Sequence, residues 1–156
     1  KNCLIMAYVH VAHDCFIGDN CILANAVQMA GHVTVGDFAI IGGSSAIHQF
    51  ATIGQHVMIS GGSLVRKDVP PFTKSGREPL SYAGINSVGL RRRGFTTEKI
   101  REIQDIYRIL YQKNYNTSQA MSIIEAEMEA TSERDEILQF IKNSHRGIMK
   151  GYFTSN

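Results

Sequence analysis

Four histidines, His10, His13, His32 and His48, fall in the first third of a chain of 156 residues, and five of its six histidines precede Val69. The stretch that holds them is poor in charge. Residues 1–69 carry three Lys or Arg and four Asp or Glu, a net of −1. Two chemistries use clustered imidazoles. A zinc site needs its ligands to converge within about 2.1 Å of one ion. A general base needs one imidazole in reach of a hydroxyl, with a backbone N–H nearby to receive the oxyanion.

What positions these side chains is a repeat. Every sixth residue from Ile5 to Val65 is aliphatic: Ile5, Val11, Ile17, Leu23, Met29, Val35, Ile41, Ile47, Ile53, Ile59 and Val65. Two residues before each stands a small or β-branched one, running from Cys3, Val9, Cys15 and Cys21 to Val57 and Ser63. Helices repeat at 3.6 residues and strands at 2, so neither yields this period. Hexads are the signature of a parallel β-helix in which each is one short side of a triangular coil. The expected fold is an all-β left-handed parallel β-helix followed by a small α-helical C-terminal domain. Small residues just after the aliphatic one, such as Gly18, Gly36, Gly42 and Gly54, are expected at the corners, where φ turns positive.

Three hexads make a coil of 18 residues, so residue i lies under residue i+18, about 4.8 Å away. His13, Gly31 and Gln49 then share one outward column, and Asp14 lies beneath His32. The histidines avoid the inward columns and crowd one strip of the wall. No histidine lies a whole number of coils from His13, which disfavours a metal site of stacked ligands and leaves the general base as the better reading. Gly31, above His13, can offer its N–H with no side chain in the way.

The chain divides into the β-helix over 1–69, a connecting loop over 70–95 and a helical domain over 96–156. Val69-Pro70-Pro71 ends the ladder, because proline cannot donate to it. Thr96 reads as an N-cap for a helix over 97–112, Asn116 or Thr117 opens a second reaching Glu129, and Ser132 opens a third; His145 to Asn156 stays unassigned. The first hexad begins at once, so the chain reads as starting within a coil stack.

Net charge is +2 overall and +3 over residues 70–156, too little to imply nucleic acid. Three cysteines in the inward small column, without metal spacing, read as buried thiols of a reducing cytosol. No apolar run is long enough to span a membrane.

Several runs together carry a resemblance: Ala7-Tyr8-Val9-His10-Val11-Ala12-His13-Asp14-Cys15, Cys21-Ile22-Leu23-Ala24-Asn25, Ala30-Gly31-His32-Val33, Asp37-Phe38-Ala39-Ile40-Ile41-Gly42-Gly43, His48-Gln49-Phe50 and Arg92-Arg93-Gly94-Phe95. The chain closely resembles, over essentially its whole length, the C-terminal part of the acyl-carrier-protein-dependent UDP-N-acetylglucosamine O-acyltransferases, which begin lipid A synthesis. The resemblance implies a cytoplasmic homotrimer with active sites between neighbouring β-helices and no cofactor or metal. Its substrates would be UDP-N-acetylglucosamine and a 3-hydroxyacyl chain on acyl carrier protein.

By the same resemblance His13 is the general base, Asp14 its support and Gly31 the oxyanion donor. His10, His32, His48, Gln49, Asn86, Arg92 and Arg93 match substrate contacts. Met58 and Gly61 match the acyl-chain ruler, and a glycine there implies a long chain. Val88 stands where some relatives carry an acid, and charged sugar contacts of relatives lie in coils before Lys1. The amine-acylating enzyme of the same pathway, a zinc enzyme like the hexapeptide carbonic anhydrases, and a non-catalytic scaffold are the competing readings.

Overall fold

The structure is a computed structural model and describes residues 1–151. Eleven strands of two residues each wind into three faces. The first face stacks β1 (Leu4–Ile5), β4 (Ile22–Leu23), β7 (Ile40–Ile41) and β10 (Met58–Ile59). The second stacks β2 (His10–Val11), β5 (Gln28–Met29), β8 (Ala46–Ile47) and β11 (Leu64–Val65). The third stacks β3 (Phe16–Ile17), β6 (Thr34–Val35) and β9 (Thr52–Ile53). All pairings within these three stacks are parallel, and partners such as Ile22 and Ile40 are one 18-residue coil apart. This is the repeat read from the hexads.

Both inward columns are buried from Cys21 upward: Leu23, Val35 and Ile41 have no exposure. Each such aliphatic side chain contributes roughly 1.5–3 kcal/mol of burial. In the first coil the same columns are open, with Ile5 52% and Val11 37% exposed.

The corners differ from expectation. Positive φ recurs every six residues at Tyr8, Asp14, Asn20, Ala26, His32, Phe38, Ser44, Phe50 and His56, with values from 58° to 66°. These positions lie three residues after the aliphatic one, not one. Each non-glycine residue there costs about 1 kcal/mol, and the ladder bonds on both sides hold it. The small residues after the aliphatic one answer another demand, the approach of the next coil. A Cβ on Gly36 would lie 2.5 Å from the Gln55 amide nitrogen, and one on Gly54 would lie 2.4 Å from the Pro71 nitrogen.

The segment 70–95 is not a plain loop. It holds β12 (Thr73–Gly76), β13 (Ser81–Ile85) and a short helix α1 (Ser87–Arg92). β12 pairs in parallel with β10, Met58 opposite Lys74, so the last coil is two residues short and carries the first face past the prolines. β13 returns antiparallel to β12. Thr73-Lys74-Ser75-Gly76 has no apolar alternation, and its pairing with β10 on one side and β13 on the other makes it a strand.

The helical expectations hold more closely. α2 (Thr97–Gln112) is capped by the Thr96 side chain, which accepts from the Lys99 N–H. α3 (Thr117–Glu127) starts in a capping box made by Asn116 and Gln119, and α4 (Ser132–Asn143) is capped by Thr131. Ile100, Ile103 and Tyr107 turn inward with Ala120, Ile124 and Ile137. The Tyr107 hydroxyl donates to the Pro71 carbonyl at 2.5 Å, tying α2 to the top coil. The unassigned tail docks beside Asp68 and Ser81 through bridges from Ile148 and Lys150; its last five residues lie outside the described ones. No described helix is long and apolar enough to cross a membrane.

Candidate functional site

The turn from the second face to the third brings most of the chemistry together. Its successive coils contribute His13 and Asp14, then Gly31 and His32, then His48, Gln49 and Phe50. His10 stands just before it on β2, opposite Gln28. The ladder fixes the stacking: the His32 N–H donates to the His13 carbonyl at 3.0 Å, and the Phe50 N–H to the Gly31 carbonyl at 3.1 Å.

Asp14 is the hub. Its Oδ2 lies 2.8 Å from His13 Nδ1 and 3.8 Å from His32 Nε2. The hydrogen bond to His13, helped by the charge of His32, holds the Asp14 carboxyl below its ordinary range. An ionised carboxylate only accepts, so Nδ1 of His13 carries the hydrogen, and in the neutral imidazole Nε2 then has the free lone pair. That nitrogen lies over Gly31, where an added Cβ would come within 2.8 Å of it. Among the described residues the Gly31 N–H makes no hydrogen bond. The corner thus sets the His13 imidazole beside a backbone N–H that no described residue claims, and His13 and Gly31 are neighbours one coil apart.

Phe50, which sequence reasoning passed over, stacks flat on His32 with ring centroids 4.6 Å apart. The His32 ring in turn meets that of His13 edge-on at 5.1 Å. The signal was available, since residues 14, 32 and 50 form one column. His48 and Gln49 are exposed at the same corner. Beside His48 a groove of about 290 Å³, floored by Ala30, Ala46 and Leu64, runs up the second face to Arg66.

Donor atoms of His13, Asp14 and His32 all lie within 4.8 Å of one another, so this trio could hold a metal ion. His32, one coil above Asp14, is also a neighbour of His13, so the trio forms without a histidine a whole number of coils from His13.

The remaining expected site residues lie elsewhere on the chain. Met58, Asn86, Arg92 and Arg93 line a cavity of about 400 Å³ on the first face, with Ile40, Lys74 and Val88. Gly61 sits on the turn between the first and second faces. Within one chain, therefore, the histidine corner and the arginine cavity are on different sides of the triangle.

Two of these residues are already engaged. Asn86, only 4% exposed, caps α1 by accepting from the Gly89 N–H and donates to the His56 carbonyl at 3.0 Å. Arg93 donates to His56 Nδ1 at 3.2 Å and lies over the Phe38 ring. Arg91 and Arg92 are exposed.

Known proteins share this fold. Residues 68–149 match the family described as Udp N-acetylglucosamine O-acyltransferase, Domain 2, and residues 1–31 match the bacterial transferase hexapeptide. An acyl-[acyl-carrier-protein]–UDP-N-acetylglucosamine O-acyltransferase of Sulfurihydrogenibium is 55% identical over 95% of this chain and 55% of its own length. One from Chlorobium phaeobacteroides is 57% identical over 94% of this chain and 56% of its own. The UDP-N-acetylglucosamine acyltransferase structure from Bacteroides fragilis superposes with a TM-score of 0.94 at 50% identity, covering 96% of this chain and 58% of that one. The chain spans somewhat over half the length of these relatives. The match over 68–149, more than half of the residues present, makes the chain a member of the UDP-N-acetylglucosamine O-acyltransferase family.

Proposed function

We propose that this protein transfers a 3-hydroxyacyl chain from acyl carrier protein to the 3-hydroxyl of UDP-N-acetylglucosamine. The observation that carries the reading is the His13 imidazole, held at Nδ1 by Asp14, with Nε2 over Gly31. Nε2 takes the proton of the sugar hydroxyl as its oxygen attacks the thioester carbon. The Gly31 N–H donates to the oxyanion that forms. Collapse expels the carrier thiolate, which recovers the proton from His13. Ester and free thiol result, and no redox partner is needed.

His10, His32, His48 and Gln49 surround this centre and serve as substrate contacts. Arg92 serves a substrate phosphate, and the exposed Arg91 faces the acidic carrier protein. Because the arginine cavity and the histidine corner lie on different faces, one ligand touches both only when a second copy brings its first face to this corner. A closed ring of three copies does that at every site, so we assign a homotrimer with its sites in the clefts. Three free thiols and soluble substrates fit a cytoplasmic protein without stable membrane insertion or nucleic-acid partner.

The test is His13→Ala in the full-length enzyme. Turnover should fall by about 10²–10⁴-fold, the usual contribution of a general base; wild-type turnover would sink the assignment. The His13–Asp14–His32 trio supports a second reading, a zinc enzyme. Stoichiometric zinc in purified protein, lost with activity on chelation, would favour it.

A further inference from the structure

We infer that His56 is a positioning residue that clamps both ends of α1 and so aims Arg92 at the substrate, with Arg93 acting through His56 and not through the ligand. The inference rests on the acyltransferase reading for what Arg92 binds, but not for the clamp itself.

His56 is the one histidine of the β-helix outside the catalytic strip. It occupies the turn from the third face to the first and is 6% exposed. Its ring lies between Phe38, 4.9 Å away in the coil below, and Phe72, 5.8 Å away above. Phe95 closes the side edge-on at 5.2 Å. The imidazole cannot rotate without displacing three phenyl rings.

Its polar atoms point to α1. The carbonyl accepts from Asn86 Nδ2 at 3.0 Å, and Nδ1 faces Arg93 Nη1 at 3.2 Å. A guanidinium only donates, so Nδ1 accepts and His56 is neutral, with its hydrogen on Nε2. Asn86 is the N-cap of α1 and Arg93 its C-cap residue. One buried residue therefore holds both ends of a six-residue helix. A helix that short has no stability of its own, and its orientation comes from these anchors together with the fully buried Leu90 side chain. Phe38 adds a second hold, with the Arg93 guanidinium 5.2 Å from its ring centroid.

The consequence concerns the cavity on the first face. Arg93 lines that cavity too, but its Nη1 is committed to the clamp, which leaves Arg92 and Lys74 as the uncommitted cations there. Arg92 is the last residue of α1, so its reach follows the tilt of that helix.

The experiment uses full-length enzyme and three substitutions. His56→Phe keeps an aromatic ring between Phe38 and Phe72 but removes the acceptor; phenylalanine already takes positive φ at Phe38, Phe50 and Phe72. His56→Asn puts an acceptor oxygen near the place of Nδ1 and also tolerates this backbone. Arg93→Met removes the donor.

His56→Phe should raise KM for UDP-N-acetylglucosamine about tenfold, the value of one charge-assisted hydrogen bond, with kcat within about twofold. His56→Asn should recover most of that loss. Combining His56→Phe with Arg93→Met should cost no more than either alone. Additive losses, an unchanged KM, or a fall in kcat at constant KM would overturn the proposal.

Hydrogen exchange at the α1 amides gives a readout independent of substrate. Faster exchange there, with the coils unchanged, is expected for His56→Phe and for Arg93→Met; unchanged exchange in both overturns the clamp. If Arg92→Ala leaves KM untouched while α1 exchange still rises in His56→Phe, the role of Arg92 fails and the clamp stands. If His56→Phe does not fold, His56→Asn and Arg93→Met carry the same comparisons.

Discussion

The imidazole of His13 lies over the α-carbon of Gly31, so close that a methyl group there would come within 2.7 Å of Cε1 and 2.8 Å of Nε2. One coil's glycine is the seat of the previous coil's imidazole. Gly31→Ala should therefore push His13 off its position. His13 is exposed and can yield, so the thermal midpoint should move little, while kcat falls by about 10²-fold, the usual cost of displacing a catalytic group by an ångström. Assay and melting curve on the same preparation decide it. Full activity in the alanine variant would mean that the base does not need this seat.

Gly42→Ala is the opposite case. Its Cβ would meet the Gly61 amide nitrogen at 2.3 Å, and backbone of the next coil cannot swing aside. Overpacking of this kind costs about 1–3 kcal/mol or more. Denaturant unfolding should show that loss without any change in substrate affinity per folded molecule.

These two glycines show what was legible in the sequence and what was not. The period from Ile5 to Val65 defined the stack, so the neighbours of His13 and Asp14 followed from adding 18 to their numbers. The helices were legible because Thr96 and Asn116 announce their starts. The reason for Gly36 or Gly42 was not, because it lies in the backbone of the following coil. Nor was β12, whose strand character comes from pairing with β10 and β13. The Arg93–His56 contact joins residues 37 apart with no periodic relation. Resemblance alone had placed Arg93 on the substrate.

His56 also sets a pH dependence. Burial, aided by Arg93 and opposed by Asp37, pushes its imidazole down to about 4 from the ordinary 6.5. Between those two values the unfolded chain takes up a proton that the native state refuses. The native state is thus favoured fully above the unfolded pKa, and that advantage is lost as pH falls toward about 4. Its upper size is about 3 kcal/mol. Chemical unfolding at pH 7 and pH 4.5 should show wild type losing more stability than His56→Phe; equal losses would remove His56 as the cause.

Arg92 lies with Lys74 in a cavity on the first face that no carboxylate lines. Arginine binds phosphate through a planar fork, so its loss acts on affinity before turnover. Arg92→Glu should raise KM for the sugar nucleotide by about tenfold or more. Added salt should weaken wild type in the same direction, because exposed charges are screened over about 10 Å at 0.1 M. A KM that ignores both reversal and salt would leave Arg92 a solvated surface group.

Gly61 tests the reading of chain length. It lies exposed on the turn from the first face to the second, beside Gly62, whose φ is 72° and whose added Cβ would meet nothing within 4 Å. The two glycines leave that corner bare. A Cβ on Gly61 would lie 3.1 Å from the Gly43 carbonyl oxygen, tight enough to need a small shift but not to block folding. A methionine at this position would then fill space next to the second-face groove that rises from His48 through Leu64. If the acyl chain runs parallel to the stack, Gly61→Met shortens its lane. Each methylene left unburied costs about 0.8 kcal/mol, a few-fold per carbon. Competition among 3-hydroxyacyl donors of graded length should show wild-type full-length enzyme preferring long chains and Gly61→Met preferring short ones, with kcat on the best donor of each kept within about tenfold. The same long-chain preference in both proteins would move the ruler away from this corner, to the Leu64, Pro79 and Leu80 end of the same face.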